Sequence, residues 1–239
     1  MASGKPFYTG EHHTGDITII FLTVNRLPAG WVEFHKQELF RAAVGAPIIT
    51  IARNQLDWGV VNLVQTEYNY ANVYVQLLRG AKAAQTPYIA VVEDDVLYTE
   101  EHFTSYRPPP DTFAYNMTRW GLFTWSRHPT YFWKDRVTNA TLLAPRQLTI
   151  DALEERFAKY PDGVPDKLVG ELGRGMVERN LGVTPRKMIE FWTTDPIVTF
   201  NHKYALDHLQ TTRRKAMWFV QAYDVPYWGR SEDLAKHFK

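Results

Sequence analysis

Short apolar runs alternate with segments of helical periodicity along the first half of the chain. The runs are rich in isoleucine and valine, which is typical of strands covered on both faces of a parallel sheet. The intervening segments repeat apolar residues at helical spacing, as at Val73, Leu77, Ala81 and Ala84. We predict strands at 16–26, 47–53, 60–64 and 88–92, and helices at 31–43 and 70–84. This order predicts an α/β fold with an open, mostly parallel, twisted sheet and helices on both faces, within a single domain.

The second half of the chain begins after the proline-rich run 107–111 and differs in character. Residues 113–133 are crowded with aromatic side chains that have basic residues between them. Some of these rings are expected in the core, and others could offer stacking faces to sugars or bases. Asp151 followed by Glu154 suits a helix start, and Gly182 suits a helix end. We predict a strand at 141–144, a helix from 151, a helix at 167–181, and strands at 188–192 and 196–200.

Three consecutive carboxylates, Glu93, Asp94 and Asp95, follow the apolar run at 88–92. Like charges this close repel one another unless a cation lies among them. Ligands of open α/β sheets bind beyond the carboxyl ends of the strands, which is where these acids are predicted. Carboxylates at such an edge suit Mg²⁺ or Mn²⁺ bound together with a phosphorylated ligand. The alternative is a solvated acidic loop.

The amino-acid composition excludes some kinds of site but does not identify the function. The chain has 239 residues, of which 45% are hydrophobic and 22% are charged, as in ordinary globular proteins. A net charge of +1 does not by itself demand a nucleic-acid or membrane partner. The absence of cysteine excludes disulfides, thiolate zinc sites and cysteine nucleophiles. No apolar run approaches the roughly 20 residues of a membrane span, and the polar first sixteen residues do not resemble a secretion signal, so we expect a cytoplasmic protein.

The layout resembles glycosyltransferases of the GT-A fold, most closely those of family two, over roughly residues 17–202. The first point of resemblance is a strand that ends in a polar turn, Thr23–Arg26, and the second is the acid motif Glu93–Asp95. The third is Gly170–Glu171, placed before a helix that a glycine closes. The chain departs from the family in having Glu rather than Asp as the first acid of the triplet. It also has Leu172 where family two often has a second acid.

The resemblance implies metal-dependent transfer of a sugar from a nucleotide-diphosphate sugar, expected to be UDP-linked, to an acceptor hydroxyl. Asp95 would hold Mn²⁺ or Mg²⁺, and His202 is our choice to complete the metal site. The candidates for nucleotide-sugar binding are Thr23, Asn25, Arg26, Arg53, Glu93 and Asp94, with the cluster 213–215 as further phosphate-neutralising bases. Glu171 is the first choice for the general base, with Asp195 and then Glu190 in reserve. Each of these side chains also has an ordinary alternative role, as a solvated surface charge or a hydrogen-bonded histidine.

The same resemblance divides the chain into an N-terminal arm (1–15), a nucleotide-sugar-binding half (16–106) and an acceptor-binding and catalytic half (107–239). The candidates for acceptor binding are Trp120, Trp125, Arg127 and Trp228. Basic and aromatic side chains together would suit a glycan or a hydroxymethylated base displaced from DNA. The sequence does not decide between these two acceptors.

Three other functions compete with sugar transfer. A nucleotidyltransferase also places acids and Mg²⁺ at the edge of an α/β sheet, but would carry a glycine-rich loop directly after the first strand. The residues there, 23–28, contain no glycine. A non-catalytic module that binds nucleotides or sugars, and a hydrolase with two carboxylates, are the remaining alternatives.

Overall fold

The structure is a computed structural model that describes residues 14–66, 71–124, 126–202 and 220–238. The helices are α1 (Ala29–Ala43), α2 (Asn72–Ala83), α3 (Glu100–Thr104), α4 (Arg146–Lys159), α5 (Gly175–Leu181) and α6 (Ser231–Lys236). The strands are β1 (Ile17–Leu22), β2 (Ile48–Ala52), β3 (Val61–Val64), β4 (Tyr88–Glu93), β5 (Val96–Leu97), β6 (Thr112–Asn116), β7 (Arg119–Phe123), β8 (Tyr131–Trp133), β9 (Leu142–Pro145), β10 (Lys187–Phe191), β11 (Ile197–Asn201), β12 (Gln221–Ala222), β13 (Asp224–Val225) and β14 (Gly229–Arg230). The predicted strands and the first two predicted helices therefore form, with ends that shift by a few residues.

The main sheet has seven strands in the order β10-β6-β9-β4-β1-β2-β3. The pairs β1–β2, β1–β4, β2–β3 and β6–β10 are parallel, whereas β9 pairs antiparallel with both β4 and β6. The sheet is thus mostly parallel, as predicted. It takes strands from both halves of the chain, so the halves at 16–106 and 107–239 share one sheet, and their functional division stays a prediction.

Alternate residues of the central strands bury into two different helical layers. Ile20 and Leu22 of β1 pack with side chains of α2 and α4, while Ile19 and Phe21 pack with side chains of α1 and α3. Burial on both faces explains why β1 is apolar without a period of two. The predicted fold class, an α/β fold with helices on both faces of the sheet, is confirmed.

A second sheet, in the order β12-β8-β7-β11-β5, lies beside the carboxyl end of β4. Much of the aromatic segment 113–133 forms its strands β7 and β8 together with β6 of the main sheet. Strand β5 follows the acid triplet directly and pairs antiparallel with β11. The backbone N–H of Phe200 donates to the carbonyl of Asp95 at 2.7 Å, which brings the end of β11 next to the triplet.

Two helix boundaries were predicted wrongly. Helix α4 begins at Arg146 rather than Asp151, since Pro145 at its N-cap fixes the entry and Thr149 Oγ1 donates back to the Pro145 carbonyl. The helix predicted at 167–181 is interrupted, with a 3₁₀ turn at Asp166–Leu168 and α5 from Gly175. Gly173 in the gap has φ of +76°, a conformation that breaks a right-handed helix. The predicted end at Gly182 is confirmed, with φ of +63°.

His102, fully buried on α3, should make stability fall with acid. Burial, with a smaller contribution from Arg107, lowers its pKa from 6.5 to about 3. Below pH 6.5 the unfolded chain therefore binds a proton at His102 that the folded protein does not bind. The free energy of unfolding falls from pH 6.5 down to about pH 3. His102→Phe should flatten the slope of unfolding free energy against pH by about 1.4 kcal/mol per pH unit in that window. Urea titrations between pH 4 and 6.5 measure the slope.

The matched control for His102→Phe is the same substitution at exposed His128, which should leave the slope unchanged. An unchanged slope in His102→Phe would show that the folded protein accommodates the charged ring.

Some predictions fall outside the residues that the structure describes. They concern residues 1–13 of the arm predicted at 1–15, Trp125 and the basic cluster at 213–215. None of the described helices is long and apolar enough to cross a membrane.

Candidate active site

The site lies where neighbouring strands β1 and β4 end, which is the point where the strand order reverses. From β1 the chain continues to β2 on one side, while β4 lies on the other. Loops that leave such a point in opposite directions open a crevice at the carboxyl ends of the strands. Thr23 follows β1 and Asp94 follows β4, and Thr23 Oγ1 donates a hydrogen bond to Asp94 Oδ2. Two of the predicted nucleotide-binding residues therefore meet at this crevice.

Asn25 joins the end of β1 to the end of β2. Its backbone has φ of +55°, a left-handed conformation that asparagine tolerates better than most residues. Its Oδ1 accepts the backbone N–H groups of Arg53 at 2.8 Å and Asn54 at 2.9 Å. Arg26 and Arg53 are close enough that burial and then the charge of Arg26 lower the pKa of Arg53. The two guanidinium groups belong to one surface cavity of about 480 Å³, lined by Val24, Arg26, Arg53, Asn54, Gln65 and Thr66.

A smaller cavity adjoins the Thr23–Asp94 contact on the side of α1. Its lining comprises Phe21, Thr23, Asn25, Val32, His35, Leu56, Trp58 and Asp94. Trp58 is half-buried and packs against Phe21, with ring centroids 4.9 Å apart. The sequence did not single out Trp58, since a lone tryptophan in a loop carries no spacing signal.

The three acids of the triplet face three different environments. Asp94 accepts from Thr23, Asp95 lies near His202, and the charges of Arg119 and Lys134 act on Glu93. Burial and then repulsion from Asp95 and Asp94 raise the pKa of Glu93 to about 8. Burial and then repulsion from Asp95 raise the pKa of Asp94 to about 7. A cation bound among these carboxylates would reduce their mutual repulsion.

Asp95 and His202 suit a divalent cation. His202 Nε2 lies 3.4 Å from Asp95 Oδ2, and the His202 side chain is 4% exposed. Oδ1 of Asp95 is buried and has no hydrogen-bond partner among the described residues. A carboxylate oxygen and an imidazole nitrogen are both donors that Mn²⁺ accepts. Among the described residues, no three acids or histidines are arranged so that together they could hold a metal ion, so a bound ligand would have to supply the other donor atoms.

Two side chains of helix α1 that the sequence did not indicate bind the backbone of the acid triplet and of the residue that follows it. Trp31 Nε1–H donates to the carbonyl of Asp94 at 2.8 Å. One turn later, His35 Nε2 lies 2.9 Å from the carbonyl of Val96. Burial lowers the pKa of His35 to about 4, so the ring is neutral and its Nε2 carries the donated proton. The spacing of four residues between two ring donors is the signal that could have revealed them.

Glu171 lies in the loop before α5, and three neighbours fasten that loop. Arg156 Nη1 donates to the carbonyl of Gly170 at 3.1 Å, and Tyr115 Oη donates to the carbonyl of Leu172 at 2.8 Å. The backbone N–H of Gly173 donates to Glu178 Oε1 at 2.9 Å. Glu171 itself is 9% exposed.

The Glu171 carboxylate is engaged by a charge within its own loop. Glu171 Oε2 accepts from Arg174 Nη1 at 2.8 Å. No described hydrogen bond or ion pair joins Glu171 to the acid triplet. Hydrogen bonds therefore hold the backbone around Glu171, but the structure does not bring its carboxylate into direct contact with the triplet.

Asp195 lies at the other end of β11 from His202. Five strand residues separate the two loops, roughly 16 Å of extended chain. The backbone N–H of Asp195 donates to Glu101 Oε2, and burial and then the charge of Glu101 raise the pKa of Asp195. Glu190, the further reserve, is exposed on β10 at the edge of the main sheet. The structure brings neither acid together with the triplet.

The predicted acceptor residues are divided between core and surface. Trp120 and Trp228 are half-buried and pack on one apolar cluster with residues of β7, β11 and α6. Trp228 Nε1–H donates to the carbonyl of Pro196, at the same end of β11 as Asp195. Arg127 is exposed. Their role in acceptor binding stays a prediction.

No protein-family model matches the sequence, and no curated protein matches it. Among solved structures, a nucleotidyl transferase from Methanothermobacter thermautotroptrophicus is 13% identical with a TM-score of 0.44, covering 76% of this chain and 89% of that chain. The catalytic domain of Drosophila beta1,4-galactosyltransferase 7 is 15% identical with a TM-score of 0.37, covering 73% and 63%. The glycosyltransferase GlyE of Streptococcus pneumoniae TIGR4 is 10% identical with a TM-score of 0.44, covering 72% and 44%.

This chain spans less than two thirds of the two solved glycosyltransferase chains, at 63% and 44%. Similarities this weak carry no argument about activity. The α/β class follows from the strand order and the two helical layers of this chain.

Proposed function

We propose that this protein is a metal-dependent glycosyltransferase that moves a sugar from a nucleotide-diphosphate sugar to an acceptor hydroxyl. One observation carries the proposal: a carboxylate triplet at the reversal point of the sheet, in which Asp95 lies beside His202 and has a buried oxygen that no described residue hydrogen-bonds. A buried carboxylate oxygen without a hydrogen-bond donor suits a cation. The neighbouring cavity with Arg26 and Arg53 suits the anionic nucleotide that such a cation would help to bind.

Asp95 and His202 would hold Mn²⁺ or Mg²⁺. When bound, the cation acts as a Lewis acid and stabilises negative charge that grows on the departing diphosphate. Thr23 fixes the orientation of Asp94, which would then accept from ribose hydroxyls. Glu93 was assigned to the same ribose contact from the sequence. The charges of Arg119 and Lys134 also act on this carboxylate, and Glu93 is the second choice after Asp94 for the ribose contact.

The nucleotide would lie over the ends of β1 and β2. Asn25 fixes the backbone there, and Arg26 and Arg53 would face the anionic part of the donor. Trp58 beside the smaller cavity offers a ring face for stacking on a base or ribose.

In the proposed transfer, the bond between the sugar C1 and the diphosphate oxygen breaks, and its electron pair leaves with the nucleoside diphosphate. The acceptor oxygen forms the new bond to C1 and loses its proton to a carboxylate, for which Glu171 is the candidate. The three bonds that fasten its loop would keep this carboxylate in place. The acceptor is a glycan or a hydroxymethylated DNA base, and the half-buried Trp120 and the exposed Arg127 are its candidate contacts.

Calorimetric titration of the protein with UDP, GDP, CDP and UDP-sugars, with Mn²⁺ or with EDTA, tests the proposal. We expect micromolar binding of one nucleoside diphosphate with Mn²⁺ and a loss of at least tenfold with EDTA, because the cation that Asp95 would hold would neutralise charge on the phosphates. Preferential binding of nucleoside triphosphates would favour nucleotidyl transfer. Binding of a nucleotide sugar without turnover, across glycans and hydroxymethylated DNA, would favour a binding module. No binding at all would overturn the proposal.

A further inference from the structure

We propose that Phe238 is a positioning residue of the cation site and that its ring keeps the His202 imidazole turned toward Asp95. The inference rests on the proposed function and concerns a residue that the sequence did not indicate. Phe238 lies two residues beyond the end of helix α6, and its backbone N–H donates to the carbonyl of Ala235 at 3.2 Å. The Phe238 side chain is buried.

The ring of Phe238 contacts the imidazole of His202. The two ring centroids lie 5.1 Å apart, with 31° between the ring planes. Nε2 of the same imidazole lies 3.4 Å from Asp95 Oδ2. A histidine side chain can rotate about two bonds, so a metal-binding nitrogen keeps its direction only when neighbouring groups limit that rotation. Phe238 is such a neighbour.

The same ring packs on two residues that bind the backbone of the acid triplet. Its centroid lies 4.7 Å from the ring of Trp31, and 5.7 Å from the ring of Phe200 with only 13° between the planes. Trp31 Nε1–H donates to the carbonyl of Asp94, and the N–H of Phe200 donates to the carbonyl of Asp95. Phe238 therefore touches both of these residues as well as the imidazole.

Helix α6 has contacts at both ends that set the position of Phe238. At its first residue, Ser231 Oγ donates to the carbonyl of Pro129 at 2.7 Å. Just beyond its last residue, the imidazole of His237 stacks on Phe34 of α1, with centroids 3.9 Å apart and 8° between the planes. Because closely packed interiors leave little room for movement, a ring placed in this way restricts the neighbouring imidazole.

The test compares wild type with Phe238→Leu, which removes the ring but keeps an apolar side chain. Both are titrated in a calorimeter with UDP, GDP and CDP, in Mn²⁺ and in EDTA. We expect the affinity of the variant for the preferred diphosphate in Mn²⁺ to fall roughly tenfold, as when a residue that orients a metal ligand is lost. The affinity in EDTA should stay the same, because the nucleotide contacts are unchanged. Phe238→Met should give the same result.

A double-mutant comparison shows whether Phe238 acts through His202. The variant His202→Ala and the variant that combines it with Phe238→Leu should have the same affinity in Mn²⁺, since the first substitution removes the group that the ring orients. Leu234→Ala is the matched control, because Leu234 is buried on α6 in the same apolar cluster as Phe238. It should lower the thermal unfolding temperature and leave the effect of Mn²⁺ on affinity unchanged.

An equal effect of Mn²⁺ on wild type and on Phe238→Leu would overturn the inference and leave the proposed function standing. An equal loss of affinity in Mn²⁺ and in EDTA would also overturn it, as would a loss in the double variant that exceeds the loss in His202→Ala. A wild-type protein that binds no nucleoside diphosphate with Mn²⁺ would overturn both the inference and the proposed function.

Discussion

Asp95→Asn is expected to abolish Mn²⁺-dependent nucleotide binding while leaving the fold intact. The substitution keeps the shape of the side chain and the backbone carbonyl that accepts from Phe200. It removes the charged oxygen that has no partner among the described residues, and with it the carboxylate donor of the proposed cation site. Calorimetry with and without Mn²⁺ should show no difference for the variant. Its thermal unfolding temperature should not fall, since one of three repelling carboxylates is neutralised.

Asp162→Asn, a substitution of an exposed aspartate, is the control for this variant. Mn²⁺-dependent nucleotide binding that survives in Asp95→Asn would remove the central support for the proposed function. A variant that loses both binding and thermal stability would instead show that the fold, rather than the site, had been damaged.

Glu171→Gln is expected to lower turnover by roughly 10²- to 10⁴-fold, the usual contribution of a general base. Donor binding should be unchanged, because the residue is not part of the Asp95–His202 pair or of the arginine-lined cavity. The loop should keep its position, as Arg156, Tyr115 and Glu178 fasten its backbone rather than the Glu171 side chain. Steady-state rates with a transferring acceptor, together with calorimetric donor affinity, separate the two effects.

Glu154→Gln on the exposed face of α4 is the matched control for Glu171→Gln. If Glu171→Gln keeps full turnover and Asp195→Asn loses it, the base is Asp195. If neither variant loses turnover, the transfer does not use a carboxylate base from these positions, as expected for an enzyme that retains the configuration of the sugar.

The elements that could be predicted are those whose pattern of apolar residues lies within one short segment of the sequence. Strands β1, β2 and β4 are apolar because both of their faces are covered, and a short apolar run shows this directly. The polar residues that follow two of them, Thr23 and Asp94, could be placed at one edge because parallel strands end together. The hydrogen bond between these two side chains confirms that they meet at this edge of the sheet.

The features that were missed depend on long-range packing. Asp151 carries the local pattern of a helix start, but the chain enters α4 earlier because Pro145 pairs with Tyr88 of β4 before the helix begins. The hydrogen bond from Trp31 to Asp94 and the one from Phe200 to Asp95 join residues far apart in sequence. The spacing of hydrophobic residues within one segment does not indicate such contacts. The separation of Asp195 from His202, by contrast, follows from the strand predicted at 196–200, which has these two residues beyond its opposite ends.

The pairing of β5 with β11 also bears on the order in which the protein is made. About one hundred residues separate Asp95 from Phe200 and His202, so a nascent chain can form β1, α1, β2, β3, α2 and β4 well before the partner of the acid triplet is synthesised. Contacts across such a long separation form late and slow folding. The first half would therefore emerge from the ribosome with three adjacent carboxylates before His202 is synthesised. The proposed cation site would be complete only after β11 is released.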